Sequence, residues 1–265
     1  MARVDYDLSP LTRLSGLHLR GTVTRRFLIS YAVPPEALEP LLPPDAELSL
    51  FEGQGWLSAC FVNMRNLRPA LVPEPLGMEF TYLIHRTRAR LPFPDGRRRE
   101  AVLVLEPNID RPLFAAIGRA SAGIRFHVRD IRLSEFPDGW RLVMRDGDET
   151  LFDAEIPRAS VSTHLPPDSR FATAERADQA LLGVSYGGQW DAGGGRLRLI
   201  AETHDPWDVL AARCVTRTNA YLEALRGSLS EADHVLTMSG IPHYFGIRVL
   251  EVAAPALDVA PALAG

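Results

Sequence analysis

RRFLISYAVPPEALEPLLPPDAELSLFEGQGWLSACFVNMRNLRP, residues 25–69, is the stretch on which the fold turns. It begins inside GTVTRRFLISYAV (21–33), which is rich in β-branched and aromatic residues and therefore predicts a strand. Pro34 and Pro35 open a short helical turn carrying Ala37, Leu38, Leu41 and Leu42, and Pro43 and Pro44 close it. AELSLF (46–51) reads as a strand, EGQG (52–55) as a turn with two glycines, and GWLSACFVNMRNL (55–67) as the next strand. Together they predict a hairpin over 46–67.

The β pattern continues outward. MEFTYLIHRTRARL (78–91) alternates, with Phe80, Tyr82 and Ile84 on one face beside Arg86, Arg88 and Arg90. Glu79, Thr81, Leu83, His85 and Thr87 share the other face. The arginine row is expected to mark a strand running out into solvent, with an anion-binding wall as the alternative. EAVLVLEPN (100–108) predicts a strand, and IDRPLFAAIGRAS (109–121) a helix capped by Asp110 with Pro112 in its first turn. GIRFHVRDIRL (123–133) alternates again, and 138–156 reads as a second hairpin. ERADQALLG (175–183) predicts a short helix, DAGGGRLR (191–198) a hairpin turn and GRLRLIAETH (195–204) a strand. DVLAARCVTRTNAYLEALRG (208–227) predicts a helix stopped by Gly227, and HYFGIRVLEVA (243–253) a closing strand. His204 and Asp205 read either as the cap of that helix or as a charge-oriented histidine. About nine strands with a few short helices make an α+β, β-dominated fold. A single domain over 1–265 is expected, with a loosely ordered Ala/Pro-rich tail from about residue 254. No strand–glycine loop–helix repeat supports a doubly wound nucleotide fold.

Composition narrows the function. The formal net charge is -4 and the pI about 6.0, which argues against a nucleic-acid partner. All 29 basic residues are arginine, so no side-chain amine exists to form a Schiff base. Cys60 and Cys214 read as free thiols of a reducing cytoplasm. No signal peptide is evident, and no window approaches the ~18 apolar residues of a membrane span. The seven histidines show no i, i+4 pair, and neither a phosphate loop nor a GxSxG elbow occurs. No metal and no cofactor are expected. The expected partner is a small-molecule ligand, and a homo-oligomer is compatible with the chain.

Several stretches, in order, resemble the acetoacetate-decarboxylase-like superfamily, and in particular its YqjF-like branch. Residues 25–69 resemble its opening strand, helical turn and hairpin, with Phe61, Met64 and Arg68 near its F-x-M-x-x-x-R strand. THDPW (203–207) resembles its H-x-PW element, and SGIPHYFGIRVLEV (239–252) its closing strand. The resemblance implies a cone- or barrel-like antiparallel sheet around an apolar pocket. GRASAGIRFHVRDI (118–131) resembles the segment that ends in two lysines. Gly118 and Arg119 match, Ile124 falls at the aromatic, Arg125 at the proline, Phe126 at the Schiff-base lysine and His127 at the second lysine. A phenyl ring cannot form an imine, so the resemblance implies the fold and cavity without that mechanism.

The candidate site follows from both readings. Phe126 is either a core residue or the floor of a pocket emptied of lysine. If it points inward, alternation turns Arg125 and His127 outward. His127 is either bonded at the sheet or a general acid/base. Arg25 and Arg26 are either a surface pair or, as the resemblance implies, a carboxylate clamp. Glu79 and Glu106 are either solvent-facing or buried acid/base groups, and Glu79 lies near the superfamily's active-site glutamate. Glu79 and His127 are thus the catalytic candidates. Arg25, Arg26, Tyr82, Glu106, Arg125 and Phe126 are the binding candidates. The expected function is a pocket for a small carbonyl or carboxylate compound. It serves either non-covalent lyase, hydratase or cyclase chemistry or ligand binding and sensing alone.

Overall fold

The structure is a computed structural model that describes residues 17–69, 71–191, 195–204 and 207–253. The tail expected from about residue 254 lies outside them. In chain order the elements begin with β1 (Leu17–Val33), α1 (Pro35–Leu38), β2 (Glu47–Leu48), β3 (Gly55–Pro69), β4 (Met78–Pro92) and β5 (Arg98–Ile109). They continue with α2 (Pro112–Ala122), β6 (His127–Val128), β7 (Asp130–Phe136), β8 (Gly139–Asp146), β9 (Glu149–Pro157) and α3 (Ala174–Leu181). The last are β10 (Tyr186–Asp191), β11 (Arg196–His204), β12 (Leu210–Ala212), β13 (Val215–Asn219), α4 (Ala220–Arg226), β14 (His234–Met238) and β15 (Ile241–Ala253).

The fold is α+β and β-dominated, as the sequence predicts. Strand pairings run β1–β3–β4–β5–β10–β11–β15 and return to β1. The β5–β10 link is parallel and the others in this circuit are antiparallel. β14 and β12 run off β1, and β2 runs off β4. A separate antiparallel sheet, in the order β13-β9-β8-β7, covers one outer face.

This arrangement buries β1, β3 and β4 on both faces. On β1, Phe27, Ile29, Tyr31 and Val33 face the small sheet, where Trp140, Leu142, Met144 and Phe152 meet them. The Phe27 and Trp140 ring centroids stand 5.6 Å apart. Leu28 faces the other way, into a second cluster with Trp56, Cys60, Val62 and the apolar side of α3. Two-sided burial removes the clean inside–outside alternation expected of a one-sided sheet.

Several local expectations are corrected. β2 pairs with β4, through Glu47↔Arg90 and Leu48↔Ala89, so 46–67 is not a two-stranded hairpin. Only an isolated Phe51↔Gln54 bridge closes its turn. Residues 208–227 are not one helix: β12 and β13 precede the short α4, because this segment adds strands to both sheets. Among the described residues no helix opens this segment, and the His204–Asp205 reading falls outside the described side chains. Asp110 does not cap α2; its Oδ1 accepts from the Thr81 backbone N–H at 2.8 Å. β10 and β14 were not anticipated, since YGGQWD and HVLTM are short and lack alternation.

The arginine row is the most informative correction. Only Arg90 reaches solvent, paired with Glu47 at 3.2 Å. Arg86 and Arg88 are buried. Arg86 donates to the Leu181 carbonyl at 3.0 Å and Arg88 to the Ala180 carbonyl at 2.8 Å. Both guanidinium groups thus sit at the C-terminal end of α3, where a helix presents unsatisfied carbonyls and the negative end of its dipole. Arg88→Met is expected to lower the unfolding free energy by about 1.5–3 kcal/mol, the worth of a hydrogen bond to a charged group. Arg90→Met, at an exposed pair, is expected to change it by less than about 1 kcal/mol, and urea denaturation of both variants measures the contrast.

Candidate functional site

A cavity of about 340 Å³ opens between the ring strands and α2. That volume lies within the range of small-molecule sites. Alternation on β4 turns Phe80, Tyr82 and Ile84 into it, as the sequence pattern predicts. β5 contributes Val104 and Pro107, and β11 contributes Arg198 and Ile200. The helix α2 covers one side with Phe114, Ile117 and Gly118.

The end of that helix sets the position of Phe126. Gly123 terminates α2 at a φ of 66°, a left-handed cap that suits glycine. The chain then returns beneath the helix, and the Phe126 ring packs against Gly118. A Cβ on Gly118 would stand 2.9 Å from Phe126 Cε2, so the two positions are sterically matched. Phe80 and Phe114 stack with centroids 4.0 Å apart, and Phe126 meets Phe114 edge-on at 6.5 Å. The result is a continuous aromatic wall.

Few polar groups reach the cavity. Gln189 accepts from the Arg125 backbone N–H at 3.0 Å. Arg198 donates to the Gly123 carbonyl at 3.2 Å and lies 3.6 Å from the Asp191 carboxylate. Arg68 enters from the end of β3. Among the described lining residues there is no aspartate, glutamate or histidine.

Of the residues singled out by sequence, Tyr82 and Phe126 line this cavity. Arg125 and His127 are exposed on either side of Phe126, and Arg125 pairs with Asp191 at 3.0 Å. Glu79 lies outside the lining: alternation puts it on the other face of β4, exposed and 3.7 Å from Arg65. Arg25 lies over the Trp140 ring at 5.0 Å, towards the small sheet. Arg26 is buried over the Trp207 ring at 5.3 Å. Neither is among the cavity-lining residues. The lining arginines are Arg68 and Arg198, and neither was among the site candidates. Arg68 carried a signal as the arginine of the F-x-M-x-x-x-R strand, whereas nothing in the sequence marked Gln189 or Arg198.

Glu106 belongs to a different polar cluster, on the face of β4 and β5 turned towards the small sheet. Its Oε2 lies 3.6 Å from His85 Nδ1. His85 is fully buried, its Nε2 is 3.0 Å from Asn219 Oδ1, and its ring stacks on Tyr221 at 4.8 Å. Burial pushes the imidazole down to about 4, so at neutral pH it faces the carboxylate uncharged and the contact is not an ion pair. Burial raises the Glu106 carboxyl, against the opposing effect of His127.

Comparison with known proteins places the chain. Its fold is that of the acetoacetate decarboxylases. Acetoacetate decarboxylase from Legionella pneumophila superposes with a TM-score of 0.63 at 17% identity, covering 96% of this chain and 98% of that one. An acetoacetate decarboxylase-like enzyme from Sphingomonas wittichii RW1 superposes at 0.60 and 11% identity, over 91% and 95%. The enduracididine biosynthesis enzyme MppR, in complex with pyruvate, superposes at 0.58 and 14% identity, over 89% and 91%. No curated protein matches. Residues 21–242 match the family DUF2071, described as an uncharacterized conserved protein (COG2071), and the chain belongs to that family.

The buried imidazole gives a pH prediction. Its folded pKa lies below the unfolded value, so the neutral form favours folding. Stability is full above about pH 6.5 and falls as the pH drops towards 4, by up to about 3 kcal/mol. Glu106 works in the opposite sense, because its carboxyl is raised on folding. His85→Leu isolates the histidine contribution: urea unfolding between pH 7 and 4.5 is expected to show a smaller loss of stability in the variant.

Proposed function

We propose that this chain is a small-molecule binding member of the acetoacetate-decarboxylase-like superfamily. Its cavity takes a carbonyl- or carboxylate-bearing organic molecule without covalent amine catalysis. One observation carries the reading: a cavity of about 340 Å³ is walled by Phe80, Phe114 and Phe126, with no carboxylate or imidazole among its described lining residues. Phe126 stands where the family resemblance aligns the Schiff-base lysine. The chain has no lysine elsewhere to replace it. Pyruvate bound to MppR shows that this fold accommodates a small oxo acid in that protein.

This lining favours binding or sensing over lyase, hydratase or cyclase chemistry. General acid/base catalysis needs a proton-transfer group within hydrogen-bond reach of the substrate. Glu79 is exposed beside Arg65, and His127 is exposed beyond the Phe126 wall. The apolar wall supplies desolvation and shape, and among its described lining residues the Tyr82 hydroxyl is the proton-transfer group, with no carboxylate or imidazole beside it.

Two measurements test the reading. Neutral N-phenyl-1-naphthylamine is expected to bind saturably at one site, with its fluorescence raised by the apolar lining. Ile84→Trp, which fills the cavity, is expected to weaken that binding at least about tenfold, or about 1.4 kcal/mol. Equal binding by both proteins excludes this cavity. Borohydride reduction with a β-keto acid is expected to leave no adduct on any side chain, and an adduct found by peptide mass mapping overturns the non-covalent assignment.

A further inference from the structure

The geometry points to Arg68 as an anion anchor, and hence to a ligand that is a monocarboxylate on a hydrocarbon or aromatic body. This inference rests on the binding function assigned to the cavity and specifies its ligand. Arg68 lines the cavity and is only 9% exposed. Its Nε donates to the Val72 carbonyl at 3.0 Å and its Nη1 to the Asn66 carbonyl at 2.9 Å. Both partners are neutral, and no carboxylate among the described residues pairs with it. A guanidinium has five N–H donors, so the Nη2 end is left for another acceptor.

The other arginines at or beside this cavity differ. Arg198 lies 3.6 Å from the Asp191 carboxylate, and Arg125 lies 3.0 Å from the same group. Arg68 is therefore the lining cation whose charge the described residues leave unmet. A buried charge without a counter-charge is costly, and a ligand carboxylate removes that cost while accepting charge-assisted bonds. One unmet cation calls for a monoanion. The aromatic wall and the aliphatic remainder of the cavity call for an apolar body.

The backbone is shaped to deliver this side chain. Asn66 adopts a left-handed φ of 55°, and the register of β3 against β4 shifts between Met64 and Leu67. The irregularity breaks alternation, so consecutive Leu67 and Arg68 both line the cavity. Gly77 packs directly on the kink, where a Cβ would come within 2.6 Å of Asn66 Cα. The carbonyl of the kinked residue is the one that accepts from Arg68 Nη1, so the irregularity and the guanidinium are locked together.

The test uses three probes with the same alkyl body: octanoate, 1-octanol and octylamine, titrated calorimetrically into the full chain at pH 7.5. Octanoate is expected to bind at least about tenfold more tightly than 1-octanol, and octylamine more weakly than both. In Arg68→Met the ratio of octanoate to 1-octanol affinity is expected to fall to about one. Arg68→Lys is expected to retain part of the preference, since it keeps the charge and loses the planar fork. Equal binding of octanoate and 1-octanol by the unmodified chain overturns the anchor and leaves the binding function standing. A preference that survives Arg68→Met also overturns it. Failure of all three probes to bind removes the binding function itself and the anchor with it. The comparison within the unmodified chain does not depend on how either variant folds.

Discussion

The structure depends on one constraint: β1, β3 and β4 must be covered on both faces. Their buried side chains point alternately at the small sheet and at the ring interior. Neither cover alone leaves these strands dry. The small sheet supplies a dense aromatic and aliphatic layer around Trp140 and Phe152, and α3 packs the opposite side over Trp56 and Cys60. Farther along the same inner face, packing stops short of filling the space, and α2 roofs it instead. The cavity is therefore what remains when a two-sided core is closed by a helix. On the β3 and β4 side its wall is backed by buried core, whereas α2 turns its outer face to solvent.

A second theme is the division of labour among arginines. In a chain without lysine every cation is a planar fork with five donors, well suited to reaching several carbonyl oxygens at once. Arg88 does this at the end of α3, with the Gln179 and Ala180 carbonyls, and Arg68 does it at the kink of β3. Others form bidentate surface pairs, such as Arg141 with Asp153 and Arg217 with Glu155. An ammonium at the end of a flexible stem could not bridge two carbonyls held at fixed spacing as readily. The buried arginines are thus part of the scaffold's architecture as much as its charge.

How much of this was legible in the sequence depended on whether the signal was local. The long strands and α2 were, because alternation, helical spacing and proline placement act within a few residues. The inward face of β4 followed from period two alone, and so did Tyr82. The pairing of β2 with β4, and the two short strands inside 208–227, were not legible, since they are decided by which sheet edge is available in three dimensions. The burial of Arg86 and Arg88 was hidden for the same reason. A charged row reads as a solvent face unless one knows that a helix end will dock on it. At the site, Phe126 was found through resemblance and alternation together. Arg68 escaped because an arginine near the end of a strand gives no local sign of burial, and the carbonyls of Asn66 and Val72 that hold it are set by the kink that follows Met64. Glu79 and the Arg25–Arg26 pair were drawn in by analogy of position, and the chain's own pleat put them elsewhere.

The seam between β1 and β15 carries a consequence for how the chain comes together. It joins Leu19 to Phe245 and Val23 to Ile241, residues near opposite ends of the chain. Until β15 is in place, β1 and β11 each present an unpaired edge in this region, and the ring stays open. Closing a loop of that span carries a large entropic cost that is met only when the whole row of bonds forms. The ring around the cavity therefore closes only when β15 pairs with both β1 and β11, which ties the cavity's enclosure to the most distant contact in the described chain.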